Sequence, residues 1–448
     1  MDSVSRLTGS PAGVRIAGAI CVGVVAIAPL AVGGFRPQWW LLFAGVIFAA
    51  AALCTLSAAA SGRRLRFLSA AAPGVAPIYV LFLAGLCVHL LFIGGAASDT
   101  DAMYGLLRQL SYAALVWTLL QSLTRDRRAS HYAAVLLFAF MGYAVYGLVT
   151  IDRTEWLLFD RTAYLGYATG PFVNRNSFAT FMAMGMSLAL ASAMADERGI
   201  GRRYRRGHRS SVLETRMRSA LLALVALLCL AAVLASASRM GLFVAVVGAI
   251  IVVALRLRRG LDHGGSTRLV VTSLALLIAS ALCAVALLYG GDVTERLGST
   301  ADSASVRLDL YRNILDMIAL NPLTGVGLDN FGEAFRAQQE LPVSPDLSWR
   351  LAHNTYLALW SELGIVLGSI PVLLGVLVAG ALLRRSLSHT VTPVSHLSDA
   401  ALAALVLTAI HALVDFSLEM PANTYLLLTL IALGLAPLGP DQSQAKGK

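Results

Sequence analysis

Apolar runs recur along the chain at roughly 16–34, 39–60, 73–95, 106–122, 132–150, 177–195, 219–236, 241–255, 269–290, 363–383, 400–417 and 424–438, separated by shorter polar segments. Most approach the length a helix needs to cross a hydrocarbon core of about 30 Å. The pattern predicts an all-α polytopic membrane protein with about twelve transmembrane helices. One polar stretch is much longer than the rest. It covers 291–362, carries five arginines and ends near Ala352-His353-Asn354-Thr355-Tyr356, so it predicts a large loop with helices of its own. With 57% hydrophobic and 13% charged residues over 448 positions, a soluble globular domain is excluded.

Basic clusters follow every second apolar run: Arg63-Arg64-Leu65-Arg66, Arg125-Asp126-Arg127-Arg128, the run from Arg198 to Arg218, Arg256-Leu257-Arg258-Arg259, and Arg384-Arg385. Cytoplasmic loops are enriched in Lys and Arg, so these clusters and both termini are predicted to be cytoplasmic. On that assignment 24 of the 35 basic residues are cytoplasmic and 11 lie on the other side, while the acidic residues divide 8 to 17. The net charge of +10 therefore points to anionic membrane lipids and topology control, not to nucleic acid. The first apolar run is predicted to be an uncleaved span, because its removal would spoil the alternation of loop charge. The five cysteines, Cys21, Cys54, Cys87, Cys229 and Cys283, all fall in predicted spans and suggest neither a disulfide framework nor a zinc site. No repeat and no linker to a soluble domain is evident, so 1–448 is expected to form a single membrane domain.

Outer-side segments at about 96–105, 151–176 and 291–362 hold the unusual residues, and a short hairpin at 235–241 joins them. In Gly170-Pro171-Phe172-Val173-Asn174-Arg175-Asn176-Ser177-Phe178 a turn leads into a helix that Asn176 or Ser177 could cap. Arg175 there is either an interfacial anchor or an anion contact. Ala235-Ser236-Ala237-Ser238-Arg239-Met240-Gly241 separates two spans by almost nothing. Arg239 is thereby held near the bilayer surface, as a hairpin anchor or as a partner for a lipid-linked phosphate. In the large loop, apolar positions 306, 310, 314, 317 and 318 have helical spacing, which places Arg307 and Tyr311 one turn apart on an amphipathic helix along the membrane surface. Asn321-Pro322-Leu323-Thr324-Gly325-Val326-Gly327 is a breaker and glycine turn lacking the lysine of a phosphate loop. His353-Asn354-Thr355-Tyr356 is expected to begin the next helix, with His353, Tyr356 and Trp360 on one face. A histidine suits proton transfer near neutral pH, although an interfacial histidine is often structural. His411 and Asp415 are spaced for an i, i+4 pair, most simply as polar glue between helices.

Taken in order, Asn174-Arg175-Asn176-Ser177-Phe178-Ala179, Ser238-Arg239-Met240-Gly241, Arg307-x3-Tyr311, Asn321-Pro322-Leu323-Thr324-Gly325-Val326-Gly327 and His353-Asn354-x7-Glu362-Leu363-Gly364 resemble the O-antigen ligase and polymerase superfamily, and within it the lipopolysaccharide O-antigen ligases. The resemblance spans roughly 170 to 370 and lies in the order of the motifs more than in any one of them. It implies a GT-C-like fold and an inverting, metal-independent glycosyltransferase of the bacterial inner membrane with a periplasmic active site. Such an enzyme needs no cofactor and moves O-antigen glycan from undecaprenyl diphosphate to lipid A-core. Carried over by motif, His353 is the candidate general base, and Arg239 and Arg307 are the candidate diphosphate ligands. Arg312, Arg175 and Tyr311 are secondary assignments, with Asn354 and Asn176 supporting. Arg108, near the outer end of the fourth predicted span, is a further phosphate candidate by position alone. The family pattern continues Gly-x-x-Gly after the histidine helix, whereas this chain has Gly364-Ile365-Val366-Leu367-Gly368, one residue longer.

The chemistry is coherent on its own terms. Diphosphate is a good leaving group, and guanidinium groups can stabilise the charge that grows on it, typically by several kcal/mol per well-placed donor. A base removing the acceptor proton adds about 10²- to 10⁴-fold. Two alternatives stay open: a repeat-unit polymerase or protein O-oligosaccharyltransferase of the same superfamily, and a lipid-linked glycan transporter, for which mid-span charges and internal symmetry would be the signature.

Overall fold

The computed structural model describes residues 10–63, 65, 72–92, 100–124, 126–154, 164–195, 209–261, 293–341, 343, 349–388, 392 and 394–436. Among these residues there is no strand and the regular structure is helical: α1 (Ala12–Ile27), α2 (Pro37–Ala60), α3 (Val75–Phe92), α4 (Thr100–Ser122), α5 (Asp126–Val149), α6 (Arg175–Ala193), α7 (Arg209–Ala235), α8 (Arg239–Leu261), α9 (Val293–Leu320), α10 (Phe331–Gln338), α11 (Thr355–Leu387), α12 (Ser395–His411) and α13 (Pro421–Leu435). Eleven of the twelve expected apolar runs coincide with helices; the run at 269–290, with Cys283, lies outside the described residues. Among the described residues, seven segments are long and apolar enough to cross a membrane, and α12 and α13 are shorter apolar helices. The chain is an all-α polytopic membrane protein.

Helix α6 is the centre of the bundle. From Ser177 to Ala193 every residue except Leu190 is buried, and α6 packs against α5, α7, α8 and α12. Small side chains permit this. A methyl group at Gly241 would lie 2.5 Å from the Cβ of Ala179, so a glycine there is what lets the start of α8 approach α6.

At one end of the bundle a buried ion pair joins three helices. The Arg259 guanidinium donates to both carboxylate oxygens of Asp399 at 2.8 Å and to the Ser386 carbonyl at 2.7 and 3.1 Å. Arg256 approaches the same carboxylate at 3.1 Å. The basic cluster at 256–259 was expected to face lipid; instead Arg259 is only 5% exposed, because Asp399 on α12 supplies a countercharge inside the protein.

At the other end, the loop between α8 and α11 builds a second core. Leu310, Ile314, Met317 and Ile318 of α9 pack with Phe331 and Phe335 of α10 and with Ala352 and Leu357 at the start of α11. Four of the five apolar positions that mark α9 thus pack on protein, while Val306 is exposed.

Helix α11 is broken at Gly364, whose φ of 72° and ψ of 166° are non-helical. The glycine turn at 321–327 stitches the break: Val326 N–H donates to the Ser361 carbonyl (2.9 Å), Gly327 N–H to the Glu362 carbonyl (3.0 Å), and Ile365 N–H to the Pro322 carbonyl (2.8 Å). Backbone groups freed by the break are paired across it. The approach requires glycines, since a Cβ on Gly364 would sit 2.2 Å from the Leu323 oxygen and one on Gly325 2.4 Å from the Glu362 carbonyl. Two motifs that are separate in sequence are therefore one structural joint. The longer Gly364-x3-Gly368 spacing is accommodated because Gly368 packs against the preceding half-helix, at the Leu359 carbonyl.

Candidate active site

His353 does not lie in α11. It precedes the helix with φ 52°, a left-handed conformation that costs a non-glycine residue about 1–3 kcal/mol and is typically found where function over-determines the backbone. Four neighbours hold it there. The Tyr311 hydroxyl donates to the His353 carbonyl at 2.8 Å. The next residue, Asn354, caps α11 by accepting from Tyr356 N–H and Leu357 N–H at 3.0 and 3.1 Å. The imidazole is wedged edge-on between Trp349 and Phe416, with ring centroids 5.5 and 4.8 Å away. The expected common face of His353, Tyr356 and Trp360 is not formed. Tyr356 turns its hydroxyl to the Ala409 carbonyl and Trp360 its indole N–H to Ser369, because the helix begins two residues later than expected.

The His353 Nδ1 is buried and has no hydrogen-bond partner among the described residues. Burial holds the imidazole below its ordinary pKa; the Asp415 charge opposes this and the Arg307 charge adds to it. The ring is therefore a neutral base at neutral pH, with a carboxylate close enough to favour the imidazolium once a proton arrives. Burial also raises the Tyr311 phenol, against the pull of Arg307, so its proton stays in place for the bond to His353.

Asp415 is fully buried and heavily partnered. Asn176 Nδ2 donates to its Oδ1 at 3.1 Å, and the Ser417 hydroxyl donates to Oδ2. The Asn176 Oδ1 in turn accepts from the Ser238 hydroxyl at 2.8 Å. Ser238 also accepts from Gly241 N–H at 3.1 Å, which caps α8 directly ahead of Arg239. Asn176 or Ser177 was expected to cap α6, but Asn174 does so, its side chain accepting from Asn176 N–H at 2.6 Å. That shift by two residues frees the Asn176 side chain to join α8 to Asp415.

The candidate cations are distributed unevenly. Arg307 sits one turn before Tyr311 on α9, and its charge bears on both Tyr311 and His353. Arg239 is exposed at the first turn of α8, tied to the His353 region through Ser238, Asn176 and Asp415. Arg175 lies beside Asn176 and stacks over Tyr167 and Tyr164, 4.7 and 5.7 Å from the ring centroids. Arg312 pairs with Asp309 at 3.0 Å, and its side chain is 75% exposed. Arg108 is gripped by both carboxylate oxygens of Asp329 and lies over Trp40. Any phosphate reaching Arg108 would compete with that carboxylate.

Arg108 belongs to a neighbouring polar cluster with Asp329, Glu362 and Glu419. Burial pushes the Glu419 carboxyl up to about 8, with Arg108 opposing and Asp329 and Asp415 assisting. Glu419 thus sits electrostatically between this cluster and the Asp415 site.

Sequence reasoning treated Asp415 as one half of a helix-joining pair with His411. Its link to His353 was hidden because the two are far apart in sequence and are joined only when α12 folds back beside the start of α11, where Thr355 N–H donates to the Ala412 carbonyl (2.9 Å).

Residues 224–372 match the family model described as "O-Antigen ligase". Over this segment the chain is similar to the O-antigen ligase family. No curated protein matches the chain at a significant level. The matched segment runs from within α7 to within α11 and contains Arg239, Arg307, Tyr311, Arg312, His353 and Asn354. Asn176, on α6, and Asp415, just after α12, come from outside it. The match supports O-antigen ligase or polymerase-type activity on lipid-linked glycan in a bacterial membrane.

Proposed function

We propose that the chain transfers O-antigen glycan from undecaprenyl diphosphate to a hydroxyl of lipid A-core, with inversion and without a metal, on the periplasmic side of the inner membrane. His353 takes the proton from the acceptor hydroxyl as that oxygen attacks the anomeric carbon. The bond from that carbon to the diphosphate oxygen breaks, and its electron pair leaves on undecaprenyl diphosphate. Attack opposite the leaving group inverts the anomeric centre. Arg239 and Arg307 hold the diphosphate and take up the charge it gains, which is the electrostatic part of the catalysis. Asp415 favours the His353 imidazolium as it forms, as a buried carboxylate does for a base during proton transfer.

The observation that carries this reading is the neutral, wedged His353, influenced by both the Asp415 carboxylate and the Arg307 guanidinium, inside a segment that matches the O-antigen ligase family. The test is to incubate purified protein with undecaprenyl diphosphate-linked glycan and lipid A-core and to identify by mass which lipid carries the glycan. Glycan on lipid A-core is the expected product. Longer glycan still on undecaprenyl diphosphate would make the chain a polymerase, and unchanged lipids with folded protein would overturn group transfer.

A further inference from the structure

Three buried side chains lie behind Asp415 and take no part in the proposed chemistry: Thr180, His411 and Ser417, which are 0, 1 and 2% exposed. They form one chain of contacts. The Thr180 hydroxyl lies against His411 Nδ1 and is 3.0 Å from the Ser417 hydroxyl, which donates to Asp415.

The hydrogens in this chain have one consistent direction. An ionised carboxylate only accepts, so Ser417 spends its single hydrogen on Asp415 and can only accept from Thr180. Thr180 spends its single hydrogen on Ser417, or on the Asn176 carbonyl at 3.0 Å. In either case Thr180 has no hydrogen left for the imidazole, so His411 donates from Nδ1. Its Nε2, buried without a partner among the described residues, then carries the lone pair, because an N–H there would be a buried donor with no acceptor. A histidine kept only as glue would be expected to satisfy both ring nitrogens; among the described residues only Nδ1 of His411 has a partner, Thr180, at the head of the chain that leads to Asp415.

We propose that His411, acting through Thr180 and Ser417, is a positioning residue that fixes the Asp415 carboxylate against His353. The inference rests on the transfer reading above. The geometry ties the two ends together: Phe416, next to Asp415, contacts the His353 ring, and the Thr355 hydroxyl, two residues from His353, donates to the Asp415 carbonyl at 3.3 Å. The ionisable groups that bear on this site are Arg307 and Tyr311 from α9, His353 before α11, His411 at the end of α12 and Glu419 beyond it. Among the described residues, Asp415 favours the charged form of His353 and Arg307 opposes it. A displaced Asp415 therefore makes His353 a weaker base.

The test compares Thr180→Val, which keeps the shape and removes the hydroxyl, with Thr180→Ser, which keeps the hydroxyl. Transfer by full-length protein in lipid nanodiscs is measured from about pH 5 to pH 8, with melting temperature as the control for folding. Thr180→Val is expected to lose about 10- to 100-fold in turnover, with its acid limb moved to lower pH and its melting temperature close to wild type; Thr180→Ser is expected to restore both. Wild-type turnover and an unmoved acid limb in Thr180→Val would overturn the inference, as would an equal loss in Thr180→Ser, which would make the effect one of packing. If Thr180→Val does not fold, Ser417→Ala interrupts the same chain and carries the same expectation. Nitrogen-15 histidine NMR without substrates separates this inference from the transfer reading. A lower His353 titration in Thr180→Val supports the coupling whatever the substrate, and an unchanged titration overturns it.

Discussion

Asn176 on α6 donates to the carboxylate of Asp415, 239 residues later, while accepting from Ser238 ahead of α8. One amide therefore joins the start of α6, the hairpin that presents Arg239, and the acid whose charge bears on His353. Asn176→Leu leaves Ser238 and Asp415 each short of a partner, which costs about 1–3 kcal/mol for a buried group. Turnover is expected to fall by about 10- to 100-fold, the equivalent of that cost. Steady-state transfer rates on folded protein check it.

Arg307 and Asp415 pull the His353 pKa in opposite directions. Removing the arginine charge by Arg307→Gln should move the acid limb of transfer to higher pH, and Asp415→Asn should move it to lower pH. Arg307→Gln should also raise the KM for the lipid-linked donor, since a phosphate partner is lost. Rate against pH at several donor concentrations separates the effects.

The same shift has a consequence for stability. The folded pKa of His353 lies below its unfolded value of about 6.5. The unfolded chain therefore binds more protons between the two values. The contribution of His353 is fully present above about 6.5 and is lost as pH falls through the folded pKa. His353→Gln should flatten the acid side of a melting-temperature profile.

Gly364→Ala should destabilise the joint between the 321–327 turn and α11. Its Cβ would meet the Leu323 oxygen, and alanine would have to hold φ 72°. A loss of about 1–3 kcal/mol for the backbone alone, seen as a lower melting temperature in detergent, is the expected result; an unchanged melting temperature would mean the joint rearranges freely.

Much of this was legible in the chain. Apolar runs marked the helices because each must satisfy its backbone internally in lipid. The spacing of Leu310, Ile314, Met317 and Ile318 marked the buried face of α9 and placed Arg307 and Tyr311 one turn apart on it. Local rules failed where distant segments decide the outcome. Asn176 is an acceptable helix cap in sequence, yet Asn174 takes that place and leaves Asn176 for Asp415. His411 and Asp415 have the spacing of a direct pair, but α12 ends at His411, so they are joined through Thr180 and Ser417 instead. His353 has helical neighbours in sequence, but its carbonyl is claimed by Tyr311 and its ring by Trp349 and Phe416, which leaves it outside α11.

The most direct measurement is single-turnover transfer by His353→Gln in nanodiscs, alongside binding of the undecaprenyl diphosphate-linked donor. Loss of the base is predicted to slow transfer by about 10²- to 10⁴-fold while donor affinity stays near wild type. Transfer at close to the wild-type rate by the folded variant would contradict the assignment of His353 as the base.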